Sequence, residues 1–424
     1  MPLSTPIHQR GVAALVVTMT LFFAMLLVAV FANRNLVFEQ RSSANQYRAT
    51  QAFEAAEAGL EWAQAQLNSV QRIGADCKAS ADTGAASFRA RYLRTAAATA
   101  GFTSNVWSNA GVETALQPSC VHAAAGWQCS CPANGHPQLV APADGQAAPA
   151  FTLQFLPGTK PGVVRVVARG CSSLAGVCAP GATTTADATA RVEVALALLP
   201  GLASAPGATL TARGAVNAAG AAMGIHNPDV ASGGVAVHAG AGIDVGAAHL
   251  SGPAGASRAT VMVGNDTTLQ ALSADQLFIA YFGHDRTSWA SQPVVTSLTC
   301  SGSCGVALEN AVASAGSNAL IRVSGNLSLE GPVTIGTPAQ PVIVVVDGAA
   351  QLRGPVTLYG LLYASAVSWN GPIPSGALLR GALVSETGYQ GDGTPELVYD
   401  APILDALRTR TGTLARVSGS WRDF

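Results

Sequence analysis

Cysteine and histidine are the residue types in this 424-residue chain that could do chemistry, and five of them crowd together. Cys120, His122, Cys129, Cys131 and His136 fall within 17 residues (136 − 120 + 1), with three thiols and two imidazoles of the kind zinc prefers. Their spacing matches no standard zinc finger. The competing chemistry is oxidation. All eight cysteines lie beyond an apolar N-terminal segment, and an even count on a translocated side fits disulfides formed in an oxidising compartment. Cys171 and Cys178 bracket six residues, and Cys300 and Cys304 bracket Ser-Gly-Ser, so each pair can close a tight loop. Cys129 and Cys131 are too close to pair with each other. They are expected to go to Cys77 and Cys120, in an order the spacing leaves open. Disulfides are the expectation here, with no metal.

Catalytic signatures are absent. There is no G-x-S-x-G, no H-E-x-x-H and no Gly-Lys pair for a nucleotide loop. Glu330 and Asp347 fall at different positions of the repeat described below, so they form no carboxylate ladder of the kind a polysaccharide lyase or hydrolase needs. Asp392, Glu396, Asp400 and Asp405 read as turn and cap residues. Neither an enzyme nor a cofactor is expected. Lys plus Arg number 23 against 24 Asp plus Glu, a net charge of −1, which offers no footprint for nucleic acid or anionic lipid. Charged residues are 11% of the chain against about 25% in an average domain, while 49% are hydrophobic and 45 are Gly. That balance suits an extracellular β-rich protein.

The elements around these residues begin with 21 uncharged residues, 12–32, between Arg10 and Arg34. About 20 apolar residues cross a bilayer, and the run is too long and wrongly flanked for a cleaved secretory signal. Neither Gly nor Pro occurs from Val12 through Ala58. Beyond the apolar run, Phe53, Ala56, Leu60, Ala63, Leu67 and Val70 step by three and four and form one apolar stripe. One helix is therefore expected over residues 12–73, about 93 Å long at 1.5 Å per residue.

A short polar leader ending in Gly11, followed by such a rod, resembles the N-terminus of type IV pilins and pseudopilins. The start QRGVAALVV and the segment AFEAAEAGL at residues 52–60 are similar to those of PilX-like minor pilins. The ending GSWRDF at 419–424 resembles theirs as well. The resemblance implies that a prepilin peptidase cuts between Gly11 and Val12, with methylation of the new N-terminus. It also implies insertion in the inner membrane with the head in the periplasm, followed by assembly into a surface pilus. Its implied partners are the major pilin, other minor pilins and a PilY-type tip adhesin. Major pilins usually carry Glu at the fifth mature position, where this chain has Val16, so the resemblance is to a minor subunit. A pseudopilin of a type II secretion system is one alternative, and a membrane-anchored surface adhesin is another.

Residues 74–205 are expected to form a pilin-like head. FTLQFL, VVRVVARGC and ARVEVALALL read as three strands between turn residues; the resemblance implies that they lie as an antiparallel sheet on the stripe of the helix. From residue 206 to 400 the texture becomes Gly-punctuated short apolar strands. Residues 320–335 (LIRVSGNLSLEGPVTI) align without gaps to 343–358 (IVVVDGAAQLRGPVTL), an offset of 23. That period suits one coil of a parallel β-solenoid, with a degenerate third coil over 366–384, earlier coils around 208–250, and an insertion at about 265–305. In the insertion, Ser273 and Gln276 form a capping box that opens a short helix ended by Gly283. A Gly-rich β-sandwich is the alternative. Residues 401–424 are expected to cap the last coil through Ile403, Leu404 and Leu407. The fold class is thus α+β, with a long N-terminal transmembrane helix and a β-rich head containing a parallel β-solenoid.

Overall fold

The computed structural model describes residues 10–424 apart from 97–100, 141–147, 175–177, 179–187, 219–222 and 372–375. Helix α1 (Arg10–Leu67) runs unbroken for 58 residues, about 87 Å. It stops six residues before the expected Ile73 because Asn68 ends it. The Asn68 side-chain amide donates to the Gln64 carbonyl of the last turn (3.1 Å) and to the Leu414 carbonyl (2.8 Å), while its oxygen accepts from the Leu414 N–H (2.7 Å). An orphan helix carbonyl and the backbone of a strand 346 residues away are satisfied by one side chain.

The head is an antiparallel sheet in the order Gly412–Arg416, Thr189–Pro200, Val163–Cys171, Ala150–Pro157, Ser119–Ala123, Gly126–Ser130. Alternate side chains point to opposite faces of a strand. Phe151, Leu153, Phe155, Val164, Val166, Ala168, Val192, Val194 and Leu196 accordingly form one face, and pack against Ala56, Leu60, Ala63 and Leu67 of α1. The three strands expected from sequence are the centre of this sheet. Its C-terminal strand was expected elsewhere. The tail read as a cap of the last coil instead returns to the head, where Gly412–Arg416 and Arg422–Asp423 both pair with Thr189–Pro200.

The disulfides are Cys77–Cys131, Cys120–Cys129, Cys171–Cys178 and Cys300–Cys304, and no cysteine is free. Cys77–Cys131 joins residues 54 apart and ties the segment after α1, which leads into the short helix α2 (Phe88–Tyr92), to the end of the hairpin of Ser119–Ala123 and Gly126–Ser130. On the loop-entropy model it is worth about 4 kcal/mol and the four-residue Cys300–Cys304 link about 2 kcal/mol. Replacing Cys77 and Cys131 together by Ser should lower the unfolding free energy of the full-length protein by about twice what the Cys300, Cys304 pair costs. Denaturant titration in detergent measures both, and equal losses would contradict the assignment of this link as the main staple.

Between Pro200 and Gly412 the chain builds a second body from strands that pair only in parallel among the described residues. The two sequence repeats lie side by side in the register of their alignment: Leu320 opposite Ile343, Leu329 opposite Leu352, Val333 opposite Val356. Three ladders result. In the first, Ile321, Val344, Leu362, Leu383, Leu210, Val237 and Met262 stand in one inward row. The second carries Leu327, Ala350, Val367, Tyr389, Val216 and Ile243. The third carries Ile335, Leu358, Leu379, Leu397, Ile225 and Leu250. All three rows converge on one core. Pro372 and Ile373 of the degenerate third repeat lie outside the described residues.

The order of these rows differs from chain order. Residues 208–250 pair with the last turns of the chain, not ahead of the 320 repeat, because Leu210 sits opposite Leu383. The chain enters mid-stack, winds to Met262 at one end, crosses to Val295–Thr299 at the other end, and winds back. The crossing is made by α3 (Thr267–Ala271), α4 (Ala274–Phe282) and α5 (Arg286–Ala290), with the expected Ser273/Gln276 capping box and a left-handed Gly283. Since Val295–Thr299 is already a ladder strand, the insertion is shorter than residues 265–305. Leu277, Phe278, Phe282 and Trp289 of α4 and α5 bury against the outer side of the first ladder, next to Leu404 and Leu407 of α7 (Ala401–Arg410). The helix expected to cap an end therefore covers a flank; α6 (Gly305–Ala315) covers the Val295 end through Leu308, Ala311 and Val312. Arg286 pairs with the buried Glu386 and lies 4.6 Å above the Phe278 ring, pinning the crossing to the stack.

Candidate assembly helix and its seat in the head

From Val12 to Gln51, 40 residues of α1 (51 − 12 + 1) touch little else; the first residue buried by the head is Ala52. At about 1.5 Å each they form a bare rod of about 60 Å. Leu27 and Phe31 expose 70% and 67% of their surface, values untypical of large apolar groups in a protein meant only for water. The polar side chains within residues 12–32, Thr18 and Thr20, return their hydroxyls to the Ala14 and Val16 carbonyls at 3.0 Å each. Both hydroxyls are then satisfied within the helix, as a lipid or a dry helical bundle demands. The helix is long and apolar enough to cross a membrane.

The seat of the head is built from small residues. Ala52, Ala55, Ala56 and Gly59 line the buried face of α1 and let the Val163–Cys171 strand lie almost against the helix backbone. A Cβ on Gly170 would stand 1.9 Å from the Ala52 carbonyl oxygen and 2.6 Å from the Ala56 nitrogen, and one on Gly59 would stand 2.9 Å from the Phe151 ring. The AFEAAEAGL segment thus has a steric meaning: it supplies the flat strip on which the sheet rests. Below it Trp62 meets Phe88 edge-on at 5.2 Å, and Phe53 meets Trp421 at 6.2 Å.

The returning C-terminus locks the seat. The Arg89 guanidinium is fully buried and donates to the carbonyls of Gly412 (2.6 Å) and Arg410 (2.8 Å), 5.0 Å over the Phe102 ring. Burial lowers its pKa to about 10, which leaves it charged at neutral pH. Asn318 exchanges two hydrogen bonds with Gly412, and Arg416 reaches Glu61 and Gln64 of α1 at 2.7 Å. Nothing in the local sequence of Asn68, Arg89 or Asn318 marks these roles, since their partner strand is more than 90 residues distant in every case.

Gly11 and Val12 lie in the first turns of α1, and residues 1–9 of the leader are outside the described residues. Val16 is exposed. The five-residue cysteine and histidine cluster is dispersed: its thiols are in disulfides, His122 stands edge-on to Trp127 at 5.2 Å, and His136 stands edge-on to Trp107 at 5.7 Å. Among the described residues no three His, Cys, Asp or Glu are placed to hold a metal.

Residues 10–61 match the family described as PilX N-terminal. No curated protein matches the chain. Among solved structures it is similar to the competence-associated pilin ComZ from Thermus thermophilus, at 13% identity over 89% of this chain and 98% of that one, with a TM-score of 0.21, too low to equate the two folds.

Proposed function

We propose, starting from a chain that carries the N-terminal helix of PilX-like type IV pilins, that it is a minor pilin: a structural subunit whose bare helix packs into the pilus core and whose body is displayed outside. The observation that carries this reading is the seat of the head on the last turns of α1, from Ala52 on, which leaves about 60 Å of helix free with its first 21 residues, 12–32, apolar. In the inner membrane that helix is stored in lipid with the head in the periplasm; in the fibre its contacts are the helices of the major pilin and other minor pilins, with a PilY-type tip adhesin beyond. We read the three parallel ladders as the faces of a β-solenoid, a reading supported by the 23-residue register of the repeats and the shared core of inward rows. The role is assembly and display rather than catalysis.

Processing follows the same reading. Gly11 offers a peptidase a scissile bond without a side chain, and the mature chain begins at Val12. Val16 leaves the new amine without the usual acidic partner, so each stacked copy would bury an uncompensated charge. The subunit is accordingly scarce in the fibre and placed near its tip. Gly11→Leu should leave a full-length, membrane-retained precursor missing from sheared fibres. N-terminal sequencing of the wild-type protein from those fibres should begin at Val12. Processing that survives Gly11→Leu would turn the reading towards a membrane-anchored adhesin, and abundance equal to the major pilin would refute the tip position.

A further inference from the structure

The outer face of the head sheet, opposite α1, carries an unusual row. Ser119, Thr152, Arg169 and Arg191 stand directly opposite one another across four neighbouring strands. Two guanidinium groups thus face each other on adjacent antiparallel strands, an arrangement that costs stability unless something neutralises it. Glu193 does so only in part: it takes Arg165 at 3.0 Å and Arg191 at 3.5 Å. Among the described residues the Arg169 side chain has no ion pair. Arg165, Arg169 and Arg191 against Glu193 leave two positive charges, and Arg422 stands opposite the same Glu193.

This excess sits over a hollow of about 180 Å³ lined by Gln117, Thr152, Gln154, Val167, Arg169 and Arg191. The Ser119 hydroxyl donates to the Thr152 oxygen at 2.7 Å. The Thr152 hydroxyl hydrogen is thereby directed away from Ser119 and can donate to a guest. Hydroxyl-, amide- and guanidinium-bearing side chains thus line one hollow, and the Arg191 guanidinium also lies 5.0 Å over the Phe424 ring. We propose that this row is a binding site for a dianionic oxyanion of the phosphate class, either free or as a monoester on a larger molecule. Two positive charges select a dianion over a monoanion, and paired guanidinium groups favour acceptors with several oxygens.

Isothermal titration of the full-length protein in detergent, at constant ionic strength, decides the matter with sodium phosphate, glycerol phosphate and sodium acetate as probes. Phosphate should bind once per chain with a Kd below about 10 mM, and Arg169→Gln should weaken it by about tenfold or more. Arg191→Gln should act in the same direction, whereas Arg353→Gln, on the far body, should leave it unchanged. Because Arg169 faces a like charge, its removal should not lower the melting temperature, so lost binding cannot be ascribed to lost fold. Glycerol phosphate matching phosphate identifies a monoester guest, and binding of phosphate alone identifies the free ion. Acetate binding as tightly as phosphate, an equal loss in Arg353→Gln, or no saturable phosphate binding would each overturn the proposal.

Discussion

Gly170→Val is expected to unseat the head from α1. Any side chain at this position meets the Ala52 carbonyl oxygen at 1.9 Å, and that oxygen belongs to helix backbone, which cannot rotate aside as a side chain would. Strand and helix must separate by more than an ångström along their closest line, and the contacts of Ala56, Leu60 and Ala63 with the sheet loosen with it. Overpacking of a well-packed core costs about 1–3 kcal/mol when side chains can adjust; with backbone on both sides the loss should reach about 4 kcal/mol or more. Urea unfolding of the full-length protein, with proteolysis after Leu67 as a local probe, measures it. A stable, protease-resistant Gly170→Val protein would show that the sheet does not rest on the helix as described.

Leu60→Asp should be as damaging for a different reason. Leu60 is 3% exposed and packs in the apolar core shared by α1 and the sheet. Losing the apolar contacts costs about 2–5 kcal/mol, and burying an unpaired charge adds to it or forces the group to stay protonated. The head should be released from the helix and aggregate through Phe151, Leu153 and Phe155. Leu60→Met, similar in volume, should cost less than about 1.5 kcal/mol. If the Asp variant remained monomeric and as stable as the Met variant, the stripe would not be the buried face. Because Leu60 and Gly170 serve one contact, the double variant should lose less than the sum of the two single losses.

The helix and its seat were legible because they are local. An uninterrupted apolar run, a stripe stepping by three and four, and three alternating strands each announce themselves within a dozen residues, and the repeat announces its own register through Gly331 and Gly354. The disulfide order at Cys77 and Cys120 was not legible, since it depends on where the Ser119–Ala123 and Gly126–Ser130 hairpin lies relative to the end of α1. The destination of the tail was hidden for the same reason. Ile403, Leu404 and Leu407 do form one apolar helical face, as their spacing implies, but spacing cannot say whether a flank or an end receives it. The permuted order of the ladders has no local signal at all: Leu210 and Leu383 are ordinary strand residues, and only the closure of the stack brings them together.

Pro200 and Gly412 are directly paired across two antiparallel strands, and the Gly201 N–H reaches the Thr411 carbonyl at 2.8 Å. Topologically Thr189–Pro200 and Gly412–Arg416 are therefore the arms of a hairpin, and everything from residue 201 to 411 is its loop. Ends that meet at one rung let a passenger of any size be carried without moving the rungs on either side, and the entropic cost of a longer loop grows only logarithmically. A body joined at such a rung is an exchangeable cargo bay, which can gain or lose strands while the head sheet and the exposed length of α1 stay unaltered.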